Sequence, residues 1–325
     1  MRSLVWLTHQ LLPDVVARLE TEAGVIVSAD GEGLPPVDAA IVGIKITFDG
    51  PFLDQLGPRL KVVARTGMGI DNIVVPAATQ RGILVANTPD APTESTAEHA
   101  VALLLSLSKR VLVGDRSLRG ASVAPADLMG TELRGRVLGV IGLGRIGRRV
   151  AEICGKGLGM RVTAYDPYVD AGQASSLGVE MIGSLEALLS QADVVTLHPS
   201  LTPETQHLIG EQELRWMKPD AYLINVSRGG VVDEDALVQV LQEGHLAGAG
   251  LDVFASEPPA LDNPLLNLPG VPIVVTPHMG SRTARGVRAM HVGAADQVLQ
   301  VLRGERPDFL VNPEVWPGRM AKVEL

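Results

Sequence analysis

Short apolar runs alternate with amphipathic segments along most of the chain. In the first hundred residues, the strand-like runs are 4–8, 25–29, 39–44, 60–65 and 83–87. Later runs of the same kind are 137–141, 161–166, 193–198, 221–227, 248–254 and 272–277. Strands that alternate with helices favour parallel sheets covered by helices. The pattern predicts an α/β protein in which a small α/β unit is followed by a parallel, doubly wound sheet.

Two longer segments have helical periodicity. Residues 93–115 read as one helix, with Thr93, Ser95 or Thr96 able to cap it, and its position suits a bridge between two domains. Residues 281–304 read as a closing helix. The periodicity leaves open whether this closing helix packs on the second domain or returns to the first.

A glycine-rich motif follows the strand-like run at 137–141. Gly142, Gly144 and Gly147 complete G-x-G-x-x-G, and residues 145–158 can continue as a helix. The first glycine permits a tight turn, the second leaves room for a pyrophosphate, and the third allows close packing of helix on strand. Unpaired N–H groups at the helix start favour phosphate. The motif therefore predicts a dinucleotide site.

An acidic residue ends the next apolar run and refines this prediction. Asp166 lies 19 residues after Gly147, where a carboxylate can accept hydrogen bonds from an adenosine ribose. The same carboxylate would repel a 2′-phosphate. The sequence therefore favours NAD over NADP as the cofactor.

Composition narrows the classes of partner and compartment. The formal net charge is −9 and no Lys/Arg stripe stands out, so we expect no nucleic-acid partner. The N-terminal residues have no signal-peptide pattern and nowhere do 18 apolar residues run together, so we expect a cytoplasmic protein without a membrane partner. The single cysteine, Cys154, suits a reducing compartment and reads as a small buried residue. We assign no metal site.

Three side chains suited to catalysis follow three predicted strands of the second sheet. Arg228, Glu257 and His278 each lie beyond the carboxyl end of a strand, the edge at which open parallel sheets bind ligands. A guanidinium can hold a carboxylate bidentately, and an imidazole can exchange a proton with a carbonyl oxygen. A carboxylate at the far ring nitrogen orients the imidazole and favours its protonated form. The alternatives are an arginine that binds a carbonyl, a solvated loop acid and a structural Pro-His turn.

These features resemble the D-2-hydroxyacid dehydrogenase family over essentially the whole chain. The matching runs are 64–73, 87–105, 140–151, 165–168, 201–209, 224–237, 249–259 and 276–281. The resemblance implies a Rossmann cofactor domain of residues 103–283 inserted into a smaller flavodoxin-like α/β substrate domain of residues 1–102 and 284–325, with the active site in the cleft between them. It also implies a homodimer, or a dimer-based tetramer, formed largely through the cofactor domains.

The resemblance also implies roles for individual residues. Arg228 would bind the substrate carboxylate, His278 would donate the proton and Glu257 would support it. Asp252 would contact the nicotinamide amide. The further cofactor-binding candidates are Thr96, Arg145, Ile146, Pro199, Thr205 and Val226. Backbone N–H groups around Met68 and Gly69 would hold the other side of the substrate carboxylate. Lys45 is a candidate for the cleft, with a solvated loop lysine as the alternative.

The resemblance implies an NAD-dependent oxidoreductase that acts on a small D-2-hydroxy acid or 2-oxo acid. We expect a reductase of the hydroxypyruvate or glyoxylate type. The alternatives are a D-3-phosphoglycerate dehydrogenase and, from another class, an NAD(H)-sensing corepressor-like binding protein. Phosphoglycerate-specific relatives typically carry an arginine where this chain has Gly43, and the chain ends too soon after His278 for the regulatory domain that some of them have. Pro199 stands one place earlier than the family pattern, so the loop beside the adenine is expected to differ.

Overall fold

The computed structural model describes residues 2–317, except for the side chain of Gln173. The chain divides into two compact units. One contains the residues up to Pro92 and from Thr283 onward, and the other is Thr93–Arg282. The predicted boundary after residue 102 therefore falls ten residues later than the division in the structure. The predicted domain ranges also include residue 1 and residues 318–325, which lie outside the described residues.

The first unit contains a five-stranded parallel sheet in the order β2-β1-β3-β4-β5. Its strands are β1 (Ser3–Leu7), β2 (Ala23–Val27), β3 (Ala39–Val42), β4 (Val62–Arg65) and β5 (Leu84–Ala86). This strand order is that of flavodoxin-like sheets, so the predicted fold class of this unit is confirmed.

Alternate residues of these strands enter two cores, because successive side chains of a strand point to opposite faces. On one face, Val5 and Leu7 pack with α1 (Pro13–Glu22) and α11 (Ala284–Leu302). On the other face, Trp6 packs in the core that α2 (Gly50–Gln55) and α3 (Val75–Gln80) cover. Both faces are thus buried, which explains why the strands read as continuous apolar runs.

The closing helix α11 returns to the first unit. Its residues Ala294, Ala295, Val298 and Leu299 are buried in the core beneath β1, β3 and β4. The hydroxyl of Thr283 caps the helix by accepting a hydrogen bond from the Gly286 N–H at 3.0 Å. The buried apolar face of α11 therefore answers on which unit the closing helix packs, which its periodicity left open.

The second unit contains a seven-stranded parallel sheet in the order β12-β11-β10-β9-β6-β7-β8. Its strands are β6 (Val137–Ile141), β7 (Arg161–Tyr165), β8 (Glu180–Met181), β9 (Val194–Leu197), β10 (Tyr222–Asn225), β11 (Gly248–Leu251) and β12 (Ile273–Val275). Its helices are α4 (Thr93–Ser108), α5 (Val111–Leu118), α6 (Arg145–Glu152), α7 (Ala171–Ser176), α8 (Leu185–Gln191), α9 (Glu211–Trp216) and α10 (Glu234–Gln242). The strand order reverses between β6 and β9, as in a Rossmann sheet, so this part of the fold prediction is also confirmed.

The prediction of one helix over 93–115 is wrong, because the chain forms two helices there. Arg110 adopts a left-handed conformation with φ of 54° between α4 and α5. The carbonyl of Ser108 accepts a hydrogen bond from the Thr131 N–H at 2.7 Å, so a later segment occupies the acceptor that a continuing helix would need. The whole of α4 packs on α6 and on β10 to β12, which explains why it belongs to the second unit.

The helix predicted over 145–158 also changes character. It is an α-helix over Arg145–Glu152 and continues as a π turn over Ile153–Gly157. Cys154 lies in this turn and is fully buried, and burial raises the pKa of its thiol to about 12. The expectation of a small buried cysteine is confirmed. No helix among residues 2–317 combines the length and the apolar character that crossing a bilayer requires.

A pair of histidines is partly buried in the first unit. The rings of His9 and His291 have centroids 5.7 Å apart, and the Nδ1 atom of His291 accepts a hydrogen bond from the Leu12 N–H at 3.1 Å. Burial, His291 and Arg65 together lower the pKa of His9 to about 4. Burial also lowers the pKa of His291. Both rings are therefore neutral at pH 7.

These pKa shifts predict that the free energy of unfolding falls in mild acid. A histidine in the unfolded chain takes up a proton near pH 6.5, whereas the folded state resists protonation of His9 until about pH 4. The stabilising contribution is therefore complete above pH 6.5 and decreases as the pH falls towards 4. We expect His9→Asn to reduce the loss of stability between pH 7 and pH 4.5 by about 1–3 kcal/mol, measured by urea unfolding. The exposed His207→Asn is the control, and equal pH profiles for His9→Asn and the unmodified protein would contradict the prediction.

Candidate active site

The first element of the site is the turn that leaves β6. Gly142 has φ of +87°, a conformation that favours glycine. A Cβ atom here would lie 2.8 Å from the backbone of His198 and Pro199, which follow β9. The turn therefore lies where the strand order of the sheet reverses, the position at which such sheets bind dinucleotides.

The other two glycines of the motif have different surroundings. A Cβ atom on Gly147 would lie 2.1 Å from the carbonyl oxygen of Gly142, so this position requires glycine for packing. The backbone of Gly144 is extended, a conformation that any residue can adopt. A Cβ atom on Gly144 would also meet no protein atom within 4 Å. Gly144 is the N-cap of α6, so the open space lies beside the helix N-terminus. These residues fit a pyrophosphate group.

Asp166 contacts the glycine-rich turn directly. Its Oδ2 atom accepts a hydrogen bond from the Leu143 N–H at 2.8 Å, and its Oδ1 atom accepts one from the Tyr168 N–H at 2.9 Å. The carboxylate is half-buried at the end of β7. Asp166 therefore lies beside the glycine-rich turn, as the spacing in the sequence predicts. Its hydrogen bond from Leu143 also stabilises that turn.

The loop after β9 forms the other side of the turn. Burial lowers the pKa of His198 to about 3, so a neutral imidazole lies behind the glycine-rich turn. Its Nε2 atom is 2.9 Å from the Thr196 hydroxyl. The Thr205 hydroxyl donates to the Ser200 carbonyl at 2.6 Å and accepts from the Thr202 N–H at 2.8 Å. Thr205 thus stabilises the loop, and its contact with a cofactor stays a prediction.

Arg228 follows β10 in a turn that its neighbours hold. The Asn225 side chain donates to the Arg228 carbonyl at 2.9 Å and accepts from the Ser227 N–H at 3.0 Å. A Cβ atom on Gly229 would lie 1.9 Å from the Phe254 carbonyl carbon, so the turn passes against the chain that leaves β11. The guanidinium is half-buried.

The structure brings His278 and Glu257 together. The Nδ1 atom of His278 lies 2.6 Å from Oε2 of Glu257, a short hydrogen bond between ring and carboxylate. The two side chains are 31% and 27% exposed, so water reaches the pair only in part. The sequence predicted a carboxylate beside the imidazole, and the structure shows this contact, whereas the catalytic roles of the two residues stay predictions.

Backbone hydrogen bonds link the ends of the neighbouring strands. The Asp252 N–H donates to the Asn225 carbonyl at 2.9 Å, and the His278 N–H donates to the Asp252 carbonyl at 2.8 Å. The ends of β10, β11 and β12 are therefore joined in register beyond the sheet itself. Arg228 and His278 consequently project from strand ends that are held at fixed spacing.

Asp252 is a buried carboxylate with several donors. Its side chain is 1% exposed and accepts hydrogen bonds from the Thr276 hydroxyl, the Met279 N–H and the Gly280 N–H at 2.6–2.9 Å. Burial raises the pKa of Asp252, but hydrogen bonds from His99, Thr276 and these amides outweigh it and hold the pKa below its usual value. The predicted contact between Asp252 and a nicotinamide amide stays a prediction.

The other predicted site residues lie in both units. In the second unit, Thr96, Ile146 and Val226 are buried, Pro199 is half-buried and Arg145 is the first residue of α6. In the first unit, Met68 and Gly69 are half-buried beyond the end of β4, and the Met68 carbonyl accepts a hydrogen bond from the Asn87 side chain at 2.7 Å. Lys45 is exposed on the loop after β3. Their roles stay predictions.

Sequence reasoning missed three residues that build the site. Asn225 holds the Arg228 turn, Thr276 donates to Asp252, and His99 of α4 lies 2.9 Å from the Thr276 hydroxyl. Thr276 and Asn225 each lie close in sequence to a residue that was recognised, so a search for local hydrogen-bonding side chains could have found them. His99 is 177 residues from Thr276, and no local pattern indicates their contact.

Comparisons with known proteins agree with this geometry. The model of the D-isomer specific 2-hydroxyacid dehydrogenase family, NAD binding domain, matches residues 101–280. A D-3-phosphoglycerate dehydrogenase of Mycobacterium tuberculosis is 42% identical over 327 residues, which is 97% of this chain and 61% of that protein. A glyoxylate reductase of Korarchaeum cryptofilum is 46% identical over 265 residues, which is 80% of this chain and 79% of that protein.

A solved structure supports the same similarity. The D-lactate dehydrogenase of Aquifex aeolicus, in complex with NAD and lactic acid, superposes with a TM-score of 0.83 at 30% identity and covers 95% of this chain and 99% of its own. The chain spans about three fifths of the length of the phosphoglycerate dehydrogenases that it matches.

The two glycine environments predict different effects of the same substitution. Gly144→Ala should leave folding intact, because its methyl group meets no protein atom, but should weaken NADH binding about tenfold or more by occupying the space for a pyrophosphate. Gly147→Ala should lower the thermal midpoint, because its methyl group clashes with the Gly142 carbonyl. NADH fluorescence titration and thermal unfolding measure the two effects. Normal NADH affinity in Gly144→Ala would remove this glycine from the cofactor site.

Proposed function

Because the chain belongs to the D-isomer specific 2-hydroxyacid dehydrogenase family, we propose that it interconverts a small D-2-hydroxy acid and its 2-oxo acid with NAD(H). We propose the reductive direction with glyoxylate or hydroxypyruvate as substrate. The observation that carries the proposal is the hydrogen bond of 2.6 Å between His278 and Glu257 at the ligand edge of a Rossmann sheet.

His278 is the proposed proton donor. Glu257 engages the Nδ1 atom and thereby holds the ring, so the Nε2 atom faces the substrate oxygen. NADH, when bound, supplies the hydride that reduces the carbonyl carbon. His278 Nε2–H then gives its proton to the carbonyl oxygen, which becomes the hydroxyl group of the product. Glu257 stabilises the positively charged ring before the transfer and orients the neutral ring after it.

Arg228 is the proposed anchor for the substrate carboxylate. A guanidinium offers two parallel N–H donors, which hold a carboxylate in one orientation. The Asn225 and Ser227 contacts and the crowded position of Gly229 restrict the turn that carries Arg228. A restricted turn supports a fixed orientation of the carbonyl group relative to His278, and such orientation contributes strongly to rate. Backbone N–H groups around Met68 and Gly69 are proposed, as a separate contribution, to bind the substrate carboxylate.

NAD is preferred to NADP in this proposal. The Asp166 carboxylate stands at the end of β7 and accepts hydrogen bonds from the glycine-rich turn. A carboxylate at this position can accept hydrogen bonds from the ribose hydroxyls and repels a 2′-phosphate. The family model, which is named for its NAD binding, agrees with this preference.

D-3-phosphoglycerate is the second candidate substrate. The relatives named D-3-phosphoglycerate dehydrogenase, which are 39% and 42% identical over nearly the whole chain, favour it. Gly43 is unfavourable, because phosphoglycerate-specific relatives typically carry an arginine at this position. A Cβ atom on Gly43 would also lie 3.3 Å from the His9 ring, so little space exists for a longer side chain without a shift of that ring. The smaller substrates, which carry no phosphate group, therefore remain the first proposal.

Initial rates with NADH test this function. We expect turnover with glyoxylate or hydroxypyruvate to exceed turnover with phosphohydroxypyruvate, and His278→Ala to lower kcat about 100-fold or more while NADH affinity is retained. Arg228→Lys should raise the KM for the 2-oxo acid, because the bidentate geometry is lost. A preference for phosphohydroxypyruvate would support the second candidate. No turnover with any 2-oxo acid would reject the enzyme and favour a binding role for the protein.

We further propose that the protein forms a homodimer through α5 and the segment after it. Helix α5 contains Val111, Leu112 and Leu118 but buries none of its residues within the chain. Leu118 is 93% exposed and Met129 is 75% exposed. Exposed apolar side chains grouped on one segment are typical of interfaces. A second copy of the chain is the proposed occupant, because a two-fold interface pairs such a surface with itself.

Charged substitutions on α5 test the dimer. The double variant Leu118→Glu with Met129→Glu should be monomeric by sedimentation equilibrium, because burial of two new carboxylates opposes association. The matched control is Leu261→Glu, since Leu261 is 91% exposed but lies outside this segment, and this variant should stay dimeric. A dimer that persists in the double variant would place the interface elsewhere.

A reducing compartment, the cytoplasm, is the proposed location. Cys154 is the single cysteine of the sequence, so the chain cannot form an internal disulfide. The thiol is buried and its raised pKa keeps it protonated, so it does not serve as a reactive group. A protein without structural disulfides suits a compartment in which thiols stay reduced.

A further inference from the structure

A histidine of α4 meets the buried carboxylate that holds the catalytic turn. The Nε2 atom of His99 lies 2.9 Å from the Thr276 hydroxyl and 3.2 Å from Oδ1 of Asp252. The His99 side chain is 16% exposed and that of Asp252 is 1% exposed. The three side chains come from α4, from the end of β11 and from the end of β12. The roles proposed above for Arg228, Glu257 and His278 do not use His99.

The directions of these hydrogen bonds follow from the chemistry of the groups. Asp252 is ionised and accepts only, so the Thr276 hydroxyl donates its single proton to Oδ1 at 2.6 Å. The Thr276 oxygen must then accept from its other neighbour, and that neighbour is the Nε2–H of His99. A relay therefore runs from His99 through Thr276 to Asp252, and the Nε2 atom of His99 also lies 3.2 Å from Oδ1 of Asp252 itself. Each member adds to the donors that offset the cost of a buried carboxylate.

The same carboxylate determines the conformation of His278. Asp252 accepts from the Met279 and Gly280 N–H groups, which are the two amides after His278, and its own carbonyl accepts from the His278 N–H. His278 has φ of +49°, a left-handed conformation that is unfavourable for a residue with a Cβ atom. Contacts on both sides of His278 therefore stabilise a conformation that the isolated turn would not prefer.

The packing around Gly280 supports the same arrangement. A Cβ atom on Gly280 would lie 3.0 Å from Oδ2 of Asp252 and 3.5 Å from both His99 and Thr96. The turn is therefore pressed against α4 and the Asp252 carboxylate at once. A change in the His99 side chain should therefore alter the packing of this turn and, through the turn, the orientation of the His278 ring.

We propose that His99 is a positioning residue for His278, acting through the relay Thr276–Asp252 on the 276–280 turn. This proposal rests on the proposed function, in which His278 is the proton donor. In this proposal, His99 acts through Thr276 and Asp252 and not on the reacting atoms. Its contribution is to hold the ring of His278 in the geometry that proton transfer requires, and geometry of this kind affects the rate of the chemical step more than binding.

Steady-state kinetics of two His99 variants test the proposal. His99→Leu removes the donor, and we expect kcat with the best 2-oxo acid to fall about tenfold with the NADH dissociation constant retained. His99→Gln keeps an N–H donor at a similar distance and should restore most of the rate. Glu98→Gln, on the exposed side of the same helix, is the matched control and should keep full activity. Equal kcat values for His99→Leu and the unmodified enzyme would overturn the proposal.

A double-variant cycle tests the route of the effect. Thr276→Val breaks the relay one residue closer to Asp252, so it should lower kcat to a similar degree as His99→Leu. If His99 acts through Thr276, the double variant should be no slower than the slower single variant. Losses that multiply in the double variant would overturn the relay. Should His99→Leu fail to fold, Thr276→Val against Thr276→Ser, which keeps the hydroxyl, gives the same comparison.

A readout without turnover separates this proposal from the proposed function. Amide hydrogen exchange of Met279 and Gly280 should be faster in His99→Leu than in His99→Gln and in the unmodified protein, because the bonds to Asp252 loosen. The NMR signal of the His278 Nδ1 proton should also change only in His99→Leu. Absence of turnover in all proteins, with these changes present, would reject the reductase and keep the relay. Unchanged exchange and unchanged His278 signal would reject the relay whatever the activity.

Discussion

The carboxylate of Asp252 is the constraint on which the candidate active site depends. A charge that is buried at the end of β11 must be surrounded by donors, and the available donors are the Thr276 hydroxyl and the amides after His278. Satisfying the charge thus requires the turn after β12 to fold over it. This folded turn sets the left-handed conformation of His278 and directs its Nδ1 atom to Glu257. A buried charge therefore determines the geometry of His278, the residue that we propose as the proton donor.

The cofactor side of the site depends on close approach of backbones instead. Gly142 and Gly147 allow the turn after β6 to pass against the loop after β9 and against α6. The open space beside Gly144 fits a pyrophosphate, and Asp166, which we propose as the ribose-binding residue, holds the turn. Two glycines of one motif thus serve packing, whereas the third leaves open space beside the helix N-terminus. The order of strands brings this turn and the catalytic strand ends to the same edge of the sheet.

Most of the fold could be predicted because its signals are local. Runs of apolar residues marked eleven of the twelve strands of the two sheets within a few residues, and the short strand Glu180–Met181 was missed because two residues carry no pattern. The break between α4 and α5 was also missed. The break lies where the Thr131 N–H donates a hydrogen bond to the Ser108 carbonyl. Helical periodicity gives no sign of this contact, because the two residues are distant in sequence. Likewise, only the apolar face of α11 against the first sheet decided where that helix packs.

The sequence by itself determined the chemistry of the site: the glycine motif, the acid at Asp166, and an arginine, a carboxylate and an imidazole at successive strand ends. These are properties of short segments, and parallel strands bring their ends to one edge without further information. The tertiary structure alone decided that Glu257 meets Nδ1 of His278 and that His99 reaches Thr276 across 177 residues of chain. Such contacts follow from the packing of whole elements, because the free energy that selects them is shared by many residues distant in sequence.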